Sequence, residues 1–122
     1  MTWRLVDERE FRARLELTLD DLPTDTIGAV TGPGRSGAVA AVYASHYLRV
    51  PFIPYGAKAP HHLGDLLIID TATQTGKTLR KASAKYDHRC ITLAIYNEPP
   101  RVYFWYEREH PQTFRHEHRE AA

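Results

Sequence analysis

The sequence predicts one α/β domain with a mostly parallel β-sheet flanked by helices and a small C-terminal hood. Apolar runs of strand length, the continuous 66–69 and the largely apolar 91–95, are typical of strands buried on both faces, as in parallel sheets. These runs alternate with segments of helical character, which is the order of an α/β fold. The length of 122 residues, with 43% hydrophobic and 25% charged residues, suits a single hydrophobic core.

Each element follows from a local pattern. Asp7 is the predicted N-cap of a first helix that ends near Leu19. The segment 38–48 is rich in Ala, Val and Tyr, which indicates a helix packed on a sheet. Two prolines in 50–55 predict a short or edge strand. The remaining predictions are strands at 26–31, 65–70, 91–96 and 102–106, and a helix at 79–86. With no repeat or linker visible, we expect a single domain over 1–122, with a core of about 7–97 and a hood of about 98–122.

Composition narrows the function class. A formal net charge of +1 predicts no basic surface for nucleic acid. No apolar run approaches the roughly 20 residues of a membrane span, and the N-terminal residues lack the apolar core of a secretory signal. A single cysteine, Cys90, cannot form an internal disulfide. We therefore expect a cytoplasmic protein that binds neither nucleic acid nor a membrane, with Cys90 as a small packed thiol at the start of a strand.

A glycine-rich motif, 31–37, joins a predicted strand to a helix. Glycines allow the backbone to approach a ligand, and the helix N-terminus with Arg35 adds positive charge. The motif matches G-x-G-x-x-G, but a dinucleotide site needs an acid about 20 residues later. The corresponding stretch, 50–55, contains none. An anion-binding loop is therefore favoured over an NAD site.

A second motif, 66–78, places Asp70 at the end of a buried strand. Its carboxylate can accept from sugar hydroxyls or hold Mg²⁺. The following Thr73, Thr75 and Thr78 offer hydroxyl donors, and Gly76-Lys77 begins a helix. This is not a Walker A loop, because the glycine required five residues before Gly76 is Thr71. The combination predicts a site for a phosphate monoester.

Taken together, these motifs resemble those of the type I phosphoribosyltransferases. These enzymes join a nucleobase to 5-phosphoribosyl 1-pyrophosphate (PRPP) and release pyrophosphate. Residues 68–78 follow the order of the family signature, and Thr75-Gly76-Lys77-Thr78 is close to the form seen in hypoxanthine-guanine enzymes. The motif 31–37 resembles the family's pyrophosphate loop. The resemblance implies PRPP and a nucleobase as substrates, Mg²⁺ as cofactor and a homodimer.

The resemblance also implies residue roles. Asp70 and Thr71 would face the ribose, and Asp70 would hold Mg²⁺ indirectly through PRPP. With Gln74 they form the implied catalytic set. The implied 5′-phosphate site comprises Thr73, Gln74, Thr75, Gly76, Lys77 and Thr78, and the implied pyrophosphate site comprises Gly32, Pro33, Gly34, Arg35, Ser36, Gly37 and Lys58.

The C-terminal part is similar to the hood of xanthine-guanine-type members, which covers the purine. The similarity lies in the aromatic-rich segment 100–107 and in 114–117, where His116 takes the place of a stacking tryptophan. The base-binding residues implied by this similarity are Tyr96, Trp105, Phe114 and His116, and the implied base is a purine.

Three differences from the family pattern leave two functions open. The usual acidic pair is Asp70-Thr71 here. Gln74 stands where 6-oxopurine enzymes carry an acid, and an amide cannot act as a general base. The loop that closes over the site in the family is reduced to 56–64. The chain is thus either a nucleobase phosphoribosyltransferase or a related protein that binds PRPP or a nucleotide without turnover, as a regulator or sensor.

Overall fold

A computed structural model describes residues 4–59, 61–72, 77–86, 90–96 and 102–107. Within these residues the chain forms five strands and three α-helices, joined by three short 3₁₀ turns. The elements in chain order are β1 Arg4–Val6, α1 Glu8–Asp20, β2 Ile27–Thr31, α2 Gly34–Leu48, β3 Asp65–Ala72, α3 Lys77–Lys85, β4 Cys90–Tyr96 and β5 Val102–Phe104. The 3₁₀ turns are Thr24–Thr26, His61–Leu63 and Trp105–Glu107.

The strands form two parallel sheets. β2, β3 and β4 make a three-stranded sheet with β3 in the centre, and β1 pairs with β5. Because the three central strands are parallel, they all end at one edge of the sheet, which we call the carboxyl edge. The helices flank these sheets, so the predicted α/β class with parallel sheets is confirmed.

The core lies on both faces of the central sheet. On one face, Phe11 and Leu15 of α1 and the small residues of α2 pack against Leu67 and Ile69 of β3, together with Phe104 of β5. On the other face, Leu79 and Ala82 of α3 pack against Leu66 and Ile68. The alternation along β3 follows from the period of two in a strand, and it explains why the apolar run is continuous.

Local patterns place the helix starts with different accuracy. The predicted N-cap of α1 is confirmed, because the Asp7 carboxylate accepts a hydrogen bond from the Glu10 backbone N–H at 2.8 Å. By contrast, α2 begins at Gly34, four residues before the predicted start at Ala38. The first turn of α2 is therefore built from the glycine motif itself. Of the helices described, none is both long and apolar enough to cross a bilayer.

One strand prediction is wrong, and one strand is not predicted. The segment 50–55 is not a strand; it forms one isolated bridge, between Phe52 and Val30. Its two ladder bonds are Val30 N–H to Pro51 O and Ile53 N–H to Val30 O, both 2.9 Å. Pro51 and Pro54 have no N–H to extend this ladder. Conversely, β1 was not predicted, because three residues are too few to show periodicity.

Candidate functional site

The carboxyl edge brings both predicted anion motifs together. β2 and β3 are neighbours, β2 leads into α2 at Gly34, and β3 precedes α3, which begins at Lys77. The N-termini of α2 and α3 therefore lie at the same edge of the sheet. Crevices outside the carboxyl ends of parallel strands are where α/β folds bind their ligands.

The first motif forms a tightly packed turn. A Cβ on Gly32 would overlap the carbonyl of Gly37 and lie 2.7 Å from the Ile69 carbonyl oxygen. Gly34 has a φ of +69° with nothing near its open side, so it supplies the positive φ that other residues adopt at a cost. The turn geometry therefore gives each of these glycines a structural reason. Arg35 and Gly34 are exposed, whereas Ser36 and Gly37 are buried.

A buried polar cluster covers the start of α2. The Ser36 hydroxyl donates to Glu107 Oε2 at 3.4 Å, and the Tyr106 hydroxyl donates to Ser36 Oγ at 3.0 Å. Glu107 Oε1 accepts from the Phe104 backbone N–H at 3.2 Å. Glu107 is only 1% exposed. The sequence places Glu107 at the end of the hood-like segment 100–107 but assigns it no role.

Tyr106 joins the two motifs. Burial raises the pKa of its hydroxyl to about 12, and the charges of Glu107 and Asp70 act in the same direction. Hydrogen bonds with Ser36 and Thr71 act in the opposite direction. The phenol is therefore protonated at neutral pH, and it lies between the first turn of α2 and the end of β3.

The predicted pair Asp70-Thr71 is divided between the two faces of the sheet, because successive strand residues point to opposite sides. Asp70 is half-buried, and its Oδ1 accepts from the Thr71 backbone N–H at 2.8 Å. Thr71 is 2% exposed, and its side chain forms a hydrogen bond with Tyr106. Of the two residues, Asp70 is the one placed for contact with a ligand.

The second motif is described only in part. Lys77 and Thr78 form the exposed first turn of α3, next to the carboxyl edge. Thr73, Gln74, Thr75 and Gly76 lie outside the described residues, so their role in phosphate binding stays a prediction.

Thr31, the last residue of β2, was not singled out from the sequence. It is fully buried, and its hydroxyl oxygen has no hydrogen-bond partner among the residues that the structure describes. Its pairing with Ile68 places it at the carboxyl edge, where the glycine turn begins. Buried hydroxyls are normally satisfied, and the sequence offers no signal for this exception.

The structure describes two of the four predicted base-binding residues, Tyr96 and Trp105. For Tyr96 the prediction is wrong, because this residue is only 2% exposed. Its hydroxyl donates to Glu10 Oε2 at 3.0 Å, and the Arg14 guanidinium lies 4.3 Å from its ring centre. Its ring is therefore part of the core rather than a platform for a base. Trp105 is half-buried and packs against Phe11. Phe114 and His116 lie outside the described residues.

Lys58 is an exposed residue of the loop between the Phe52 bridge and β3. On one side of it, the Gly56 N–H donates to the hydroxyl of Tyr86 at 2.7 Å. On the other side, Gly64 lies against Gly28 near the start of β2. The role of Lys58 as a pyrophosphate ligand stays a prediction.

A dedicated metal centre is not apparent in the described part of the chain, where no three His, Cys, Asp or Glu side chains cluster. The residue that the family resemblance offers for a PRPP-bound Mg²⁺ is Asp70, and this role stays a prediction. Carboxylate oxygen is a donor that Mg²⁺ accepts.

Comparison with known proteins gives similarity at the level of structure. No protein-family model matches the chain, and no curated protein sequence matches it. A xanthine-guanine-hypoxanthine phosphoribosyltransferase from Helicobacter pylori superposes with a TM-score of 0.71 at 11% identity, covering 99% of each chain. A purine phosphoribosyltransferase from Pyrococcus horikoshii gives 0.66 at 15% identity, covering 86% of this chain and 94% of that one.

A third structure, a hypothetical protein from Neisseria gonorrhoeae with bound ppGpp, gives a TM-score of 0.67 at 8% identity and covers 100% of this chain and 99% of that one. At such identities the likeness concerns the fold. The chain therefore has the fold of the type I phosphoribosyltransferases.

Proposed function

We propose that the chain binds a phosphoribosyl group at the carboxyl edge and transfers it from PRPP to a nucleobase, in particular a purine. The observation that carries this proposal is the meeting of two helix N-termini, those of α2 and α3, beside the carboxylate of Asp70. Two anion positions flanking a sugar-binding acid match a ligand that carries phosphate at both ends of a ribose. The fold shared with two purine phosphoribosyltransferases supports the choice of base.

In this proposal each element has one task. Asp70 accepts hydrogen bonds from the ribose hydroxyls, and 73–78 binds the 5′-phosphate with Lys77 as its cation. The turn 32–37 receives the pyrophosphate. A nitrogen of the base attacks C1′, the bond from C1′ to the pyrophosphate oxygen breaks, and pyrophosphate leaves with the electron pair while the base loses its proton. Mg²⁺ chelated by PRPP would neutralise charge on the leaving group.

Most of the rate gain would come from positioning the two substrates and stabilising the departing anion. Gln74 cannot accept the proton from the base, so that proton would pass to water or to the leaving group.

The test is an assay of pyrophosphate release with PRPP, Mg²⁺ and a panel of purines and pyrimidines. We expect release with at least one 6-oxopurine and none in the Asp70→Asn variant. Asp65→Asn, which removes an acid at the other end of β3, is the matched control. Absence of release with every base would exclude the transferase.

A second candidate is a binding protein that senses a nucleotide or PRPP without turnover. The buried cluster of Tyr106 and Glu107 over the start of α2 supports it, as does Thr71 in place of a second acid. One similar structure carries ppGpp, so guanine nucleotides belong in the ligand panel. Calorimetry that detects binding, with no product formed, would favour this candidate.

A homodimer and a cytoplasmic location belong to the same proposal. The resemblance to the family supports the dimer. Light scattering that returns a mass of about 14 kDa would show a monomer and contradict it.

A further inference from the structure

The first turn of α2 contributes no negative charge of its own to its positive N-terminus. The helix has 15 residues, its N-cap Pro33 makes no side-chain cap, and its first turn contains no acid. The aligned peptide dipoles give such an end about half a positive charge. Exposed Arg35 adds a full charge. The end of α2 therefore attracts an anion.

A distant residue supplies that anion. Glu107 is 71 residues from Ser36, yet its Oε2 accepts from the Ser36 hydroxyl in the first turn of α2. Burying a carboxylate at 1% exposure costs several kcal/mol unless hydrogen bonds and opposite charge compensate. The Ser36 hydroxyl, the Phe104 N–H and the positive helix end provide that compensation.

The position of Glu107 is held by packed aromatic rings. Phe104 lies edge-on to Phe11 and to Tyr96, with both ring-centre distances 5.7 Å. Tyr106 stacks on Phe104 with an interplanar angle of 6°. β5 is also paired with β1. Ring packing and the pairing of β5 with β1 thus fix the position of the Glu107 carboxylate.

We propose that Glu107 is an internal anion that competes with pyrophosphate for the N-terminus of α2, so that the site prefers a ligand with a single phosphate monoester. A pyrophosphate at this position would meet the Glu107 carboxylate within hydrogen-bonding range of Ser36. A nucleoside 5′-monophosphate places its phosphate at the start of α3 and avoids that repulsion. The inference rests on the phosphoribosyl site of the proposed function and names its preferred ligand class.

The test is calorimetry in the presence of Mg²⁺ with three probes, GMP, inorganic pyrophosphate and PRPP. The variant is Glu107→Gln, which keeps the shape and the hydrogen bonds but removes the charge. The matched control is Glu16→Gln, which makes the same change of net charge on α1. We expect the wild type to bind GMP and to bind pyrophosphate at least about ten-fold more weakly.

We expect Glu107→Gln to strengthen pyrophosphate and PRPP binding by about ten-fold while GMP binding stays within about two-fold. Glu16→Gln should change none of the three. Equal pyrophosphate affinity in wild type and Glu107→Gln would overturn the inference. If Glu107→Gln does not fold, the wild-type measurements are sufficient, because wild-type binding of pyrophosphate as tight as that of GMP would also overturn the inference.

Different results would contradict the role of Glu107 and the phosphoribosyl site. If the wild type binds GMP and pyrophosphate equally well, the role of Glu107 is wrong and the phosphoribosyl site stands. If the wild type binds none of the three probes, the proposed function is wrong, and the ligand preference is wrong with it.

Discussion

The N-termini of α2 and α3 lie at the same edge of the sheet, but their first turns differ in exposure to solvent. In the first turn of α2, Gly34 and Arg35 are exposed, but Ser36 is buried against Glu107 and both are under 5% exposed. The start of α3 presents Lys77 and Thr78 to solvent and is anchored by Leu79. The same strand–turn–helix plan thus gives one helix start that contacts a buried carboxylate and one that is exposed. Glycines at such a turn can serve the fold as much as the ligand.

The largest expected effect tests whether the covered turn belongs to the folding core. Gly32→Ala should lower the free energy of unfolding by at least about 3 kcal/mol, since its Cβ would overlap the Gly37 carbonyl. Gly34→Ala, with a positive φ but open space, should cost only about 1 kcal/mol. Urea denaturation measures both. Similar losses would mean that the turn is not packed as described.

The next prediction concerns Asp70 at the carboxyl edge. Asp70→Asn should weaken binding of a phosphoribosyl ligand by about ten- to a hundred-fold, since an amide is a weaker acceptor for sugar hydroxyls than a carboxylate. Asp65→Asn should leave the affinity unchanged, because this residue begins β3 at the far edge. Titration calorimetry measures both. Wild-type affinity in Asp70→Asn would remove this acid from the site.

The cation at the start of α3 gives a smaller effect. Lys77→Met should weaken binding of a nucleoside monophosphate by about five- to ten-fold through loss of a charge-assisted contact. Lys81→Met, one helical turn later and also exposed, is the control and should bind as wild type. Equal losses in the two variants would indicate a diffuse attraction of the basic helix rather than a phosphate site.

Unfolding at alkaline pH tests the burial of the Tyr106 hydroxyl beside the first turn of α2. The pKa of Tyr106 is raised to about 12 in the folded chain, against about 10 when unfolded. Its stabilising contribution is therefore complete below pH 10 and is lost as pH rises towards 12. We expect the free energy of unfolding to fall across this window, and to fall less, by about 1 kcal/mol, in Tyr106→Phe. The pKa of Tyr96 is also raised to about 12, so Tyr96→Phe should remove a similar share. Tyr43, Tyr47 and Tyr55 have raised pKa values too and contribute to the rest of the slope. An unchanged slope in Tyr106→Phe would contradict the burial of its hydroxyl.

The smallest effect concerns the unpaired hydroxyl of Thr31. Thr31→Val keeps the shape and removes a buried polar atom for which the described part of the chain provides no partner, so it should raise the free energy of unfolding by about 0.5–1 kcal/mol. Thermal unfolding without ligand measures it, with Thr18→Val as the contrasting case. The Thr18 hydroxyl donates to the Arg14 carbonyl at 2.6 Å, so its removal should not stabilise the fold. Destabilisation by Thr31→Val would show that this hydroxyl is satisfied.

Local patterns were sufficient for much of the fold. The Asp7 cap, the buried run of β3 and the alternation of strands and helices all depend on neighbours within a few residues. The position of Asp70 at the end of its strand follows from the same run. The segment 50–55 shows where this reasoning failed: its apolar residues predicted a strand, but two missing N–H groups limited it to a single bridge.

By itself, the sequence determined the parallel α/β class, the order of the two anion motifs and the acid beside the second. These depend on periodicity and on short-range turn chemistry. Only the tertiary structure decided that Tyr96 packs in the core and that Glu107 covers Ser36. Those outcomes join residues far apart in the chain, 71 positions in the case of Ser36 and Glu107, and no local pattern encodes which distant side chain will fill a given space.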